Sequence, residues 1–138
     1  MPDPQLCSEE EISELVNRFY ARVRTDERLG PIFNAHVQDW GAHLVKLTDF
    51  WSSALRGTRR FRGTPMPVHT ALPGLNAELF QHWLQLFDAT AGELPNAALR
   101  ERASELAHRI AQSLWYGYQM VSHPADHPVQ MDEELTHG

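Results

Sequence analysis

The chain has 138 residues and a net charge of -6, with 42% hydrophobic and 22% charged residues. This length suits one domain that buries a core without disulfide or metal staples, and the negative charge argues against nucleic acid as a partner. No apolar run approaches the roughly 18 residues of a membrane span, and the first residues lack the basic and apolar regions of a secretory signal. Cys7 is the only cysteine, so there is no Cys-x-x-Cys motif. We expect a cytoplasmic protein.

The first segment predicts a capped amphipathic helix followed by a corner. Ser8 and Glu11 have the spacing of a capping box, and the apolar residues that follow recur at helical intervals through about residue 24. Tyr20 lies on the flank of this stripe, so we expect its hydroxyl at the edge of the core. Gly30-Pro31 interrupts the next segment, which predicts a turn or a single helical turn over residues 26–34.

A second helix is predicted between Asp39, a suitable N-cap, and Gly57, a suitable C-terminal stop. Its apolar residues keep helical spacing, and His43 falls on that apolar face. The connector that follows, residues 57–68, carries arginines and prolines and is too broken for regular structure. Its arginines, together with Arg56, indicate either a solvated loop or a site for carboxylate or phosphate.

His69 follows two prolines, so it must project from a short turn rather than from the interior of a helix. Taken alone it is either a structural loop residue or a ligand held against an apolar wall. That wall is the third predicted helix, Asn76 to about Ala91, which Asn76 can cap.

The last predicted helix runs from about Asn96 to Met120, with an apolar stripe that includes Leu99, Leu106 and Ile110. From residue 122 onward the chain has almost no apolar residues. We therefore expect a domain over residues 1–121 and a disordered polar tail over 122–138. No strand-like alternation is seen, which predicts an all-α protein. Its candidate site residues are Tyr20, His43, His69 and Trp83.

An orphan histidine on a stiff connector, faced by polar groups from several helices, is a layout typical of a haem pocket. Five motifs, in order from Ser8 to Met120, make the chain resemble the group III truncated haemoglobins. They are Phe19-Tyr20-x-x-Val23-Arg24, Leu29-Gly-Pro-Ile-Phe33-Asn34, His43-x-x-Lys46-Leu47-x-x-Phe50-Trp51, Gly63-x-Pro65-x-x-x-His69 and Phe80-x-x-Trp83-Leu84-x-Leu86-Phe87. The double-glycine motifs of the other two groups are absent.

The resemblance implies a truncated globin fold, a two-over-two helical sandwich around a haem b that is not covalently attached. It assigns the role of proximal iron ligand to His69. The other positions form a distal polar set, Tyr20, His43 and Trp83; an apolar set in contact with haem, Phe33, Leu47 and Phe50; and propionate partners, Lys46 with one of Arg59, Arg60 and Arg62.

The function implied is binding of diatomic ligands, namely oxygen, nitric oxide and carbon monoxide, or of peroxide. Tyr20 and Trp83 can each donate a hydrogen bond to bound oxygen, and His43 can donate, fill the site itself or act as a gate. Three distal donors exceed the needs of oxygen transport, which favours nitric-oxide dioxygenation or peroxide reduction with an unidentified reductase. The rival interpretations are a cofactor-free helical interaction domain and a di-iron bundle. A di-iron bundle requires Glu-x-x-His pairs on facing helices, and this sequence has none in a buried register.

Overall fold

The computed structural model describes residues 2–59 and 76–122, and the helices in this part of the chain, which contains no strand, confirm the predicted all-α class. They are α1 (Glu9–Thr25), α2 (Gly30–His36), α3 (Trp40–Arg56), α4 (Ala77–Ala91) and α5 (Ala97–Ser122). Within this part, no helix has the length and apolarity needed to cross a bilayer. The predictions for His69, Arg60, Arg62 and the polar tail beyond Ser122 lie outside the described residues.

Short polar side chains set the helix boundaries where the sequence predicted them. The Ser8 hydroxyl accepts a hydrogen bond from the Glu11 backbone N–H at 3.1 Å, and the Glu11 carboxylate accepts one from the Ser8 N–H at 2.9 Å. Asp39 and Asn76 cap α3 and α4 in the same way. Gly57 ends α3 with a φ of 75°, a left-handed conformation that glycine adopts without steric cost.

The corner after α1 is more regular than predicted, because α2 is a helix of seven residues rather than one turn. Pro31 lies in its first turn, where a backbone N–H has no intrahelical partner, so Gly30-Pro31 begins the helix instead of preventing it. A Cβ on Gly30 would lie 2.8 Å from the carbonyl oxygen of Arg24. Glycine at this position therefore lets α2 start directly against the end of α1.

Helix α1 lies at the centre and packs against α2, α3 and α4, while α5 covers α4 from the other side. The buried face of α5 follows the predicted stripe only in part. Leu99 and Ala103 of that stripe are buried, but Leu106 and Ile110 are only partly buried, and Ala107 and Ala111, outside the predicted stripe, are almost completely buried. Small alanine side chains on the buried face of α5 allow its backbone to approach the helix it packs against, α4, closely.

Candidate functional site

Tyr20 is buried in the core, with 3% of its surface exposed, rather than placed at the core edge as predicted. Its ring meets the edges of Phe19 and Phe33 at centroid distances of 4.7 and 6.3 Å, and lies 6.2 Å from that of Trp40. Burial raises the pKa of the Tyr20 hydroxyl, because a phenolate would lose its hydration there. Tyr20 therefore stays protonated at every physiological pH and keeps a proton to donate.

The Trp83 side chain lies near the Tyr20 hydroxyl, where its hydrogen-bonding group lowers the Tyr20 pKa and partly offsets the effect of burial. An indole N–H can only donate, so it can act on the phenolic oxygen of Tyr20 and leave the Tyr20 O–H able to point at another group. The Trp83 ring is held on two sides, by the edge of Phe19 at 5.3 Å and by Phe87, stacked at 5.8 Å. The structure thus brings together two of the three predicted distal residues, one on α1 and one on α4.

Aromatic stacking extends from Trp83 into the core. Phe87 stacks on Trp83 with an interplanar angle of 19°, and Trp51 of α3 stacks on the same Phe87 at 5.2 Å and 17°. Phe19 contacts Phe87 edge-on at 5.0 Å. Because these rings are packed from α1, α3 and α4 at once, the orientation of Trp83 is fixed by the hydrophobic core itself.

His43, the third predicted distal residue, is half-buried near the start of α3. Its ring meets that of Trp40 edge-on at a centroid distance of 5.5 Å, and Trp40 also contacts the ring of Tyr20. Trp40 is itself anchored, since its indole N–H donates to the Asn34 side chain at 3.1 Å and the Arg24 guanidinium lies 4.8 Å from its ring centroid. Trp40 thus stands between His43 and Tyr20.

Trp40 was not among the predicted site residues. Its position three residues before His43 on the same helical stripe was the available signal for a role beside the site. The Asn34 and Arg24 contacts that hold it come from α2 and α1. Helical periodicity within one segment does not report contacts between helices.

The apolar set predicted to contact haem lies on α2 and α3. Phe33 is buried against Tyr20, while Leu47 and Phe50 pack against the core with part of their surfaces exposed. On α4, Trp83 and Leu86 are likewise partly buried. An apolar surface left partly open beside a buried hydroxyl and an indole N–H fits a flat apolar ring system whose ligand needs a hydrogen-bond donor.

The basic residues divide into engaged and exposed groups. Arg56 is an ion-pair partner of Glu9 and donates to the carbonyl oxygen of Pro4, so it fixes the chain start against α3 instead of facing a ligand. Lys46 and Arg59 are exposed. Arg59 has a φ of 60°, in the left-handed region, immediately before the residues outside the described part.

The other histidines of the described residues have structural or solvated positions. His82 pairs with Asp26 at 2.7 Å, His108 with Asp88 at 2.9 Å, and His36 is exposed at the end of α2. Within residues 2–59 and 76–122, no three His, Cys, Asp or Glu side chains come together as a metal site.

Three comparisons relate this geometry to known proteins. The model of the bacterial-like globin family matches residues 5–115. The chain is 33% identical over 121 residues to a group 3 truncated haemoglobin of Campylobacter jejuni, a match that covers 83% of this chain and 95% of that protein. The crystal structure of a group III truncated haemoglobin from Campylobacter jejuni superimposes with a TM-score of 0.75 and 30% identity, covering 92% of this chain and all of the other.

Proposed function

The chain belongs to the bacterial-like globin family and has the truncated globin fold, so it is a haem protein that binds gas ligands, and we propose that it transforms those ligands rather than transporting oxygen. The family membership and the match to group III truncated haemoglobins carry the first part of this statement. The proximity of the Trp83 indole to the buried Tyr20 hydroxyl supports the second.

We propose that the haem is of the b type, held without a covalent link, with His69 as its axial ligand. Cys7 is the only cysteine, so thioether attachment through a Cys-x-x-Cys-His motif is impossible in this sequence. When bound, the haem supplies the iron at which ligand binding and electron transfer occur. Its apolar body suits the partly exposed Leu47 and Phe50, and exposed Lys46, with Arg59 or Arg62, suits its propionates.

Tyr20 and Trp83 act in this proposal as an ordered donor pair. Trp83 donates to the Tyr20 oxygen, and this orients the Tyr20 O–H so that it can donate to a ligand with partial negative charge. In a buried site such a bond is stronger than in water, because neither partner is hydrated in the bound state. Strong retention slows release, which is a disadvantage for a carrier. It gives a second reactant, such as nitric oxide, time to meet bound oxygen.

His43 has a different role from the pair. Its half-buried ring sits against Trp40, and an imidazole can both donate and accept a proton. That property supports peroxide reduction as a second candidate function, since cleavage of the O–O bond requires a proton to be delivered. The same position suits a gate for ligand access.

Rapid mixing of the reduced protein tests the proposal. The oxygenated protein should be consumed by nitric oxide much faster than it loses oxygen spontaneously, with nitrate as the product. Peroxide mixed with the oxidised protein tests the second candidate. Fast oxygen release combined with slow reaction with nitric oxide and with peroxide would instead indicate a carrier.

The assignment of His69 has its own test. His69→Ala should abolish stable haem binding, whereas His36→Ala, His82→Ala and His108→Ala should keep it. Equal haem retention in all four variants would remove His69 from the role of axial ligand.

Turnover also requires electrons from a reductase, and we place this activity in the cytoplasm.

A further inference from the structure

The corner between α1 and α2 contacts α4 through the side chains of Asp26 and His82, next to the site. His82 Nε2 lies 2.7 Å from Asp26 Oδ2, and the two side chains are only 27% and 16% exposed. The other carboxylate oxygen of Asp26 accepts hydrogen bonds from the backbone N–H groups of Arg28 and Leu29, both at 2.9 Å. Asp26 is therefore fixed on the corner by its own backbone and cannot follow His82 if α4 moves.

The pair ties together the two helices that carry the donor pair. Asp26 is the C-cap of α1, the helix of Tyr20, and His82 is the neighbour of Trp83 on α4. Adjacent residues on a helix point about 100° apart, so a fixed His82 sets the rotation of α4 at Trp83. We propose that Asp26 and His82 are positioning residues that hold the Trp83 indole in hydrogen-bonding distance of the Tyr20 hydroxyl. This inference rests on the proposed role of Tyr20 and Trp83 as ligand donors.

The charges around the pair support this role. Burial alone would raise the pKa of Asp26, but the Leu29 N–H and the His82 side chain outweigh it and hold that pKa below its ordinary value. Asp26 is thus ionised at neutral pH and attracts a protonated His82 most strongly. The same corner reaches α4 at a second point, where Arg28 lies 3.5 Å from Glu78, but that pair is largely exposed and contributes little.

The chain offers a matched control. His108 and Asp88 form a second histidine–aspartate pair of similar length, 2.9 Å, but they are 53% and 42% exposed and link α4 to α5. His82→Leu should weaken the Trp83 to Tyr20 bond, and His108→Leu should not. His82→Gln should recover part of the effect, since its amide can still donate to Asp26.

The test uses the carbon monoxide complex of the haem-loaded protein, whose C–O stretching frequency falls when a donor points at the ligand. His82→Leu should raise this frequency and shift the Trp83 indole N–H resonance, while His108→Leu leaves both unchanged. In His82→Leu, oxygen release should become roughly three- to tenfold faster. This is less than the acceleration expected when a whole charge-assisted hydrogen bond to the ligand is lost.

Asp26→Asn provides a second route if His82→Leu does not fold, since it keeps an oxygen for the backbone N–H groups of the corner. Unchanged C–O frequency and indole resonance in these variants would overturn the inference, provided that Trp83→Phe shifts the frequency. If Trp83→Phe itself leaves the frequency unchanged, the donor role of Trp83 fails instead. The two failures are therefore distinguishable.

Discussion

Tyr20→Phe is the substitution that tests the donor pair most directly, because it removes one hydroxyl and keeps the ring that packs against Phe19 and Phe33. A hydrogen bond to a partly charged acceptor contributes about 1.5 to 3 kcal/mol in a dry site. At 1.4 kcal/mol per tenfold, its loss should accelerate oxygen dissociation roughly 10- to 100-fold. Carbon monoxide carries little charge on its outer oxygen, so its dissociation should change by less than about threefold.

Trp83→Phe should have a smaller effect, because the proposed arrangement places the two donors in series. In this arrangement Trp83 donates to the Tyr20 oxygen and thereby orients its O–H. Removing the indole N–H leaves the hydroxyl present but free to rotate, which should accelerate oxygen release about three- to tenfold, the equivalent of an ordinary neutral hydrogen bond. The double variant should behave like Tyr20→Phe alone, since Trp83 acts through a hydroxyl that is no longer there.

Stopped-flow dissociation rates for oxygen and carbon monoxide in the four proteins complete the cycle. The carbon monoxide rates are the control for a general opening of the pocket, which would accelerate both ligands equally. Two independent donors would give additive effects in the double variant, and that result would refute the series arrangement. Unchanged oxygen release in Tyr20→Phe would mean that its hydroxyl does not face the ligand.

Three further changes test the gate, the core and the buried thiol. His43→Leu should alter ligand association more than dissociation in flash photolysis, and the reverse ratio would exclude a gate. Leu99→Ala empties a site with 0% exposure and should lower the free energy of unfolding by about 3 to 4 kcal/mol in urea, against about 1 for partly buried Leu106→Ala. Burial raises the pKa of Cys7 from 9.0 to about 11, so the unfolded chain loses this proton first and stability should fall as the pH rises from 9 to 11. Cys7→Ala should remove about 2 kcal/mol of that fall, whereas an identical pH profile would show that the thiol is not shielded.

Features that depend on neighbouring residues could be predicted from the sequence. The caps of α1, α3 and α4 are local, because each capping side chain accepts from the backbone N–H three residues on, and the stop at Gly57 depends on that residue's own left-handed backbone. The length of α2 was underestimated because proline was taken as a break, although the first turn of a helix tolerates it. The burial of Ala107 on α5 could not be predicted, since large residues dominate a hydrophobic stripe and small ones determine how closely helices approach.

The candidate site shows the same division. The resemblance carried by the motifs predicts Tyr20, His43 and Trp83 as distal residues, which stays a prediction, but their mutual arrangement depends on contacts between residues far apart in the chain. The burial of Tyr20 results from rings on α2 and α3, and the Asp26 to His82 contact spans 56 positions. Such contacts leave no periodic signal in a single sequence. The sequence could therefore indicate candidate donors, but not the contacts between the helices that carry them.

The aromatic packing around Trp83 also determines how this site can change. Phe19, Phe87 and Trp51 hold the indole through the main core, so substitutions there would lower stability together with ligand affinity. In the proposed arrangement Asp26 and His82 hold the same indole from the corner between α1 and α2, so a substitution there leaves the stacked rings in place. Donor geometry can therefore be adjusted at the corner without repacking the interior. Differences in oxygen release between homologous proteins should accordingly follow substitutions at this pair more often than substitutions in the stacked rings.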